Sequence, residues 1–70
     1  MTAEHWNHRI LIHKDGTLAV HEVYYDKDHN PKMCTENPLT LRFDELDELT
    51  WMIEKINKAS LKPVLKYEDF

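Results

Sequence analysis

Seventy residues carrying a formal charge of −4 make one small domain whose surface is poorly suited to bind nucleic acid directly. One cysteine, Cys34, excludes an internal disulfide, and one glycine excludes a phosphate-binding loop of the G-x-G-x-x-G or Walker type. No stretch approaches the apolar length of a membrane span, and no apolar run follows Met1, so neither a membrane segment nor a signal peptide is expected.

Met1 to His5 read as a frayed start. "WNHRILIHK" then alternates as a strand, with Trp6, His8, Ile10 and Ile12 on one face and Asn7, Arg9, Leu11 and His13 on the other. "KDGT" follows, and Asp-Gly between two β-type runs is a strong hairpin signal. "LAVHEVYYD" returns. Two registers fit. A two-residue loop sets Arg9 opposite Glu22. A three-residue loop, Lys14-Asp15-Gly16 with Gly16 left-handed, sets His13 opposite Thr17, Ile12 opposite Leu18, Ile10 opposite Val20 and Trp6 opposite Tyr24. The second gathers the larger apolar groups on one face and is preferred; a one-residue slip would exchange the faces of the second strand. It leaves Leu11, Ala19, Val23 and Tyr25 turned away from the expected main core, a face too apolar to be solvated. Either a tail or another subunit should cover it.

"DKDHNP" reads as a turn, "KMCT" as a short third strand and "ENPLT" as a break. A helix follows, capped by Asp44 and stopped at Pro63, with acids in its first turns and Lys55, Lys58 and Lys62 toward its end. Its apolar stripe reads Leu46, Leu49, Ile53 and Ile56, flanked by Met52 and Ser60. Trp51 falls nearly opposite that stripe, among Asp47, Glu48, Glu54, Lys55 and Lys58. An outward tryptophan is either covered by the tail, through Val64, Leu65, Tyr67 or Phe70, or serves as an interface anchor. "PVLKY" is expected to add a terminal strand or to lie extended over the sheet. The expectation is thus a single α+β domain over residues 1–70: a small antiparallel sheet of about three strands packed against one C-terminal helix, followed by an extended tail.

The residues that suggest contact with another molecule are Trp51, Tyr25, Val23, Leu11, Lys55 and Lys58. A weaker polar cluster comprises His8, Glu22, His21 and Arg9. Five histidines are many for this length, yet no H-x-x-x-H pair and no second cysteine supply a metal ligand set. Acid–base chemistry would have to centre on Glu22 with His21 or Arg9, and a cross-strand Arg–Glu pair is ordinary sheet electrostatics. Ser60 is the only serine and sits late in the helix, which gives no support to a Ser-His-Asp arrangement. No catalytic activity, cofactor or metal is expected. The expected partner is a second copy or another protein, and a lone cysteine fits a reducing, cytoplasmic setting.

Trp6, Arg9, Asp15-Gly16, the "HEVYYD" run from His21 to Asp26, Pro31, Pro63 to Leu65, Tyr67 and Asp69-Phe70 resemble a family of small bacterial proteins of unknown function, over nearly the whole chain. That resemblance implies no catalytic residue. In outline the Asp-Gly hairpin and element order also resemble the HicB-type antitoxin domain, a curled three-stranded sheet backed by a helix. The likeness implies a fold and, as an alternative function, an antitoxin-like or nucleic-acid-associated regulator. The proline-and-glycine stretch usual after the second strand is replaced here by "YYDKDHNP", and no DNA-binding helix pair follows.

Overall fold

The computed structural model describes residues 5–70. The expected frayed start lies outside them except for His5, which already belongs to the first strand. Strands β1 (His5–Ile12), β2 (Leu18–Tyr25) and β3 (Pro31–Cys34) form an antiparallel meander. Helix α1 (Leu46–Ser60) follows, and β4 (Leu65–Lys66) then joins the far edge parallel to β1, giving the order β3-β2-β1-β4. A single 3-10 turn, Tyr67–Asp69, ends the chain. The fold class is the one read from the sequence, with the tail contributing a fourth, two-residue strand.

The hairpin adopts the three-residue loop. Ile12 pairs with Leu18, Ile10 with Val20 and Trp6 with Tyr24. The His13 amide donates to the Thr17 carbonyl (2.8 Å), the Gly16 amide to the His13 carbonyl (2.9 Å), and Gly16 has φ +89°. Asp15 fixes the turn by accepting from the Thr17 amide (3.0 Å) and hydroxyl (2.7 Å), which holds its carboxyl below the usual range. A side chain at Gly16 would meet nothing, so Gly16→Ala is a test of backbone strain alone. It should cost about 1 kcal/mol in urea denaturation, with Gly16→Asn closer to wild type because asparagine tolerates the left-handed region.

The faces are used differently from the expectation. The fully enclosed core lies on the face of Leu11, Val23 and Tyr25, against which Cys34, Leu65 and Tyr67 pack. The C-terminal tail and β3 cover this face from within the same chain. Leu11, Val23 and Tyr25 therefore offer no free interface, which corrects their assignment as contact residues. Burial also pushes the Cys34 thiol up, away from reactivity.

Helix α1 packs on the opposite face, over β1. Its first turn carries Asp47 and Glu48 and its last Lys58, each favourable to the helix dipole. Asp44 is not the cap: Glu45 occupies that position, without a side-chain hydrogen bond. The inward stripe is rotated from the expected one. Met52 and Ala59 are buried, with Leu49 and Ile56 partly so, whereas Leu46 and Ile53 are 76% and 53% exposed.

Candidate functional site

Three groups of side chains merit consideration: the groove beside Trp51, the histidines and Arg9 under the tail, and the exposed flank of α1.

The groove lies where α1 meets β1. Trp6, Asn7 and His8 line it from the strand, and Trp51, Lys55, Lys58, Ala59 and Lys62 from the helix and its end. Its volume is about 240 Å³. Ala59 brings the helix close to β1, while the long side chains at Trp51, Lys55 and Lys58, spaced four and seven apart, project past the strand's edge. Trp51 is 50% exposed and Lys55 Nζ stands 5.1 Å from its ring centre, a cation–π contact. Trp6 is 49% exposed and meets the His8 ring edge-on at 5.4 Å. Burial holds His8 below the usual imidazole value, against the pull of the Glu22 carboxylate and with the push of Lys55. The groove thus has an uncharged floor, two aromatic walls and a rim of three lysines. The tail does not fold over Trp51; it packs on the other face of the sheet. Phe43, Asp47 and Glu48 line a separate, shallower cleft on the other side of Trp51.

The sheet divides the expected polar cluster. His8 and Glu22 pair across one face, and Arg9 and His21 across the other. Glu22 accepts from the Tyr24 hydroxyl (2.6 Å), a bond that raises the phenol's pKa. Arg9 makes no ion pair among the described residues. Its Nη1 donates to the Tyr25 hydroxyl (2.9 Å), its Nη2 to the Pro63 carbonyl (2.7 Å), and its buried Nε has no partner among the described residues. The Tyr25 hydroxyl in turn donates to Asn7 Oδ1 (2.8 Å). Arg9 thus ties the segment that follows α1 to the sheet, and the only ion pair among the described residues is the Lys32–Asp26 contact at the surface.

His21 is fully buried. Its Nδ1 lies 3.0 Å from the Thr35 carbonyl, which can only accept, so this nitrogen carries the proton. Nε2 is then a lone pair and accepts from His13 Nε2–H at 2.9 Å. Tyr67 stacks on His13 (4.4 Å between ring centres) and donates from its hydroxyl to the Glu36 carbonyl (3.1 Å). The arrangement is a strap across the core, in which both ring nitrogens of His21 and the Tyr67 hydroxyl face structural partners. A second stack, His5 on Tyr25 with His29 Nδ1 3.1 Å from His5 Nε2, closes the other end of the hairpin. Among the described residues no three His, Cys, Asp or Glu side chains converge to hold a metal, and no helix is long and apolar enough to cross a membrane.

Of the contact residues read from the sequence, Trp51, Lys55 and Lys58 come together in the groove, while Leu11, Val23 and Tyr25 belong to the core. The sequence reading missed Trp6, His8 and Lys62 as their groove neighbours, and Leu46 and Ile53 as surface residues. Lys62 was within reach, because it follows Lys58 by four. Trp6 and His8 needed the packing of helix on strand. No family model, curated protein or solved structure matches the chain.

Proposed function

We propose that this chain is a small cytoplasmic protein-interaction protein without catalytic activity, which self-associates through helix α1. One observation carries the reading: α1 buries only Met52 and Ala59 while Leu46 and Ile53 stand exposed. A surface helix ordinarily turns its apolar stripe inward. Leu46 and Ile53 are seven residues apart, hence on one side of the helix, about 150° around from Trp51 at 100° per residue. Two copies packed antiparallel about a two-fold axis would set Leu46 and Ile53 of one helix against Ile53 and Leu46 of the other. The single cysteine, Cys34, is consistent with a reducing compartment.

Sedimentation velocity over a range of concentrations tests this. The wild type should sediment as a dimer. Ile53→Glu introduces two carboxylates at a symmetric contact and should weaken association by about a hundredfold, the equivalent of ~3 kcal/mol. Its far-UV circular dichroism should not change, because the position is outside the core. A wild type that stays monomeric at its highest soluble concentration would end the self-association reading.

A further inference from the structure

The strand that forms the groove's wall has a free edge. β4 pairs with β1 only at Leu11 and Ile12, so from His5 to Ile10 the outer side of β1 has no strand beside it among the described residues. Which backbone groups point that way follows from the register. His13 and Thr17 form the hydrogen-bonded pair that closes the hairpin. Counting back in an antiparallel ladder, Leu11, Arg9, Asn7 and His5 direct their N–H and C=O groups at β2, and Ile10, His8 and Trp6 direct theirs outward. The groove's lining agrees. Trp6, Asn7 and His8 are consecutive, and consecutive strand residues point to opposite faces. A groove touching all three reaches around the strand's edge, where backbone is presented.

We propose that this edge groove docks an extended, acidic segment of another protein, which adds to the sheet as a strand beside β1. The inference deepens the interaction-protein reading and uses the other flank of α1, so the two stand or fall separately. Edge addition takes affinity from main-chain hydrogen bonds and selectivity from alternate side chains. The main-chain groups here are those of Trp6 and His8. The alternate side chains would lie between the two indole rings on one face. Charge selects the partner: Lys55, Lys58 and Lys62 line the groove itself and no carboxylate does, Asp47 and Glu48 lying in the next cleft beyond Trp51 and Glu22 behind His8, while the chain as a whole carries −4. A basic field on an acidic protein favours acidic ligands. Two tryptophans and three lysines would also suit a single-stranded nucleic acid, but that ligand makes no use of a backbone edge.

The probe is a blocked heptapeptide of alternating Glu and Val, titrated against the intact chain and against Ile53→Glu. Trp6 and Trp51 are the only tryptophans, and both line the groove, so intrinsic fluorescence reports on it directly. The expected result is saturable binding of equal strength in both backgrounds, with amide exchange slowed at Trp6 and His8. Binding should weaken about tenfold or more in a Lys58→Glu, Lys62→Glu double variant, whose substituted side chains are both exposed, and should weaken as salt is raised. Four outcomes would overturn the proposal. The peptide fails to bind, in which case the lysines only guard the edge. The Lys–Val counterpart binds equally well. Oligothymidylate binds more tightly than the peptide. Or the Trp6 and His8 amides are already protected in the free chain in a concentration-dependent way, because a second copy fills the edge. Loss of dimerisation in Ile53→Glu with peptide binding intact would separate this site from the self-association surface.

Discussion

Leu11→Ala should leave much of the protein unfolded in plain buffer at 25 °C. Leu11 has no accessible surface and stands at the centre of the cluster formed with Val23 and Tyr25, under Leu65, Tyr67 and Cys34. Truncating such a leucine removes about 2–5 kcal/mol, the transfer term plus the cavity left behind. A domain of this size with one small core has roughly 3–5 kcal/mol to lose. The control is Leu18→Ala, a leucine 63% exposed at the start of the next strand, which should shift stability by no more than about 0.5 kcal/mol. Urea titrations followed by far-UV circular dichroism compare the two. The placement of the core fails if they prove alike. The experiment also separates the two roles open to Leu11. A core leucine destabilises at every protein concentration, whereas an interface leucine would destabilise only through the loss of association.

The same comparison shows what the sequence could and could not convey. The hairpin register was legible because Asp15-Gly16 permits few loops and each loop fixes every downstream partner. The inward face was not. Ile10, Ile12, Leu18 and Val20 on one side and Leu11, Ala19, Val23 and Tyr25 on the other are nearly matched in apolar bulk. The choice is made by Leu65 and Tyr67, more than forty residues along, when the tail crosses the core. That tail was one of the two covers expected for the second face, yet its destination also decided Trp51, which it leaves open. The helix shows a related ambiguity. Leu46, Leu49, Ile53 and Ile56 make the greasier stripe, but Leu49, Met52, Ile56 and Ala59 make an equally regular one. Close approach to β1 selects the stripe containing the small Ala59. Periodicity finds a helix readily and orients it poorly when apolar residues cover much of its circumference. Trp51, Lys55 and Lys58 could be grouped by spacing alone, whereas the edge beside them is a property of how few residues β4 contributes, and no local pattern announces that.

Acid should loosen the tail before it titrates the carboxylates. His21 is held below the ordinary imidazole value chiefly by burial, with the Thr35 carbonyl opposing and the His13 charge adding to the depression. In the unfolded chain a histidine takes up its proton near pH 6.5. Between that value and the lower folded one, the unfolded state binds more protons than the native state, so stability falls as the pH falls. His8, also depressed, contributes with the same sign. Both contributions are fully present above about pH 6.5 and decline below it. The structural reason at His21 is specific. Nδ1–H is committed to Thr35, so a second proton must go to Nε2, where it meets the N–H of His13 at 2.9 Å. His13 keeps this contact only by carrying its own proton on Nδ1 and accepting; as an Nε2–H donor it must turn away, and Tyr67 stacked on it then loses its platform. A second decline follows at lower pH as Asp15 and Asp26, held below the usual carboxylate range by turn hydrogen bonds, are protonated. Urea midpoints measured from pH 8 to pH 3 should therefore fall in two steps, the first below about pH 6.5. His13→Phe keeps a ring for Tyr67 to stack on but removes the opposing N–H, so the first step should shrink while the carboxylate step persists. Amide exchange at Leu65 and Tyr67 should quicken across the first step in the wild type. A single decline confined to the carboxylate range would show that His21 accepts its second proton without disturbing the strap.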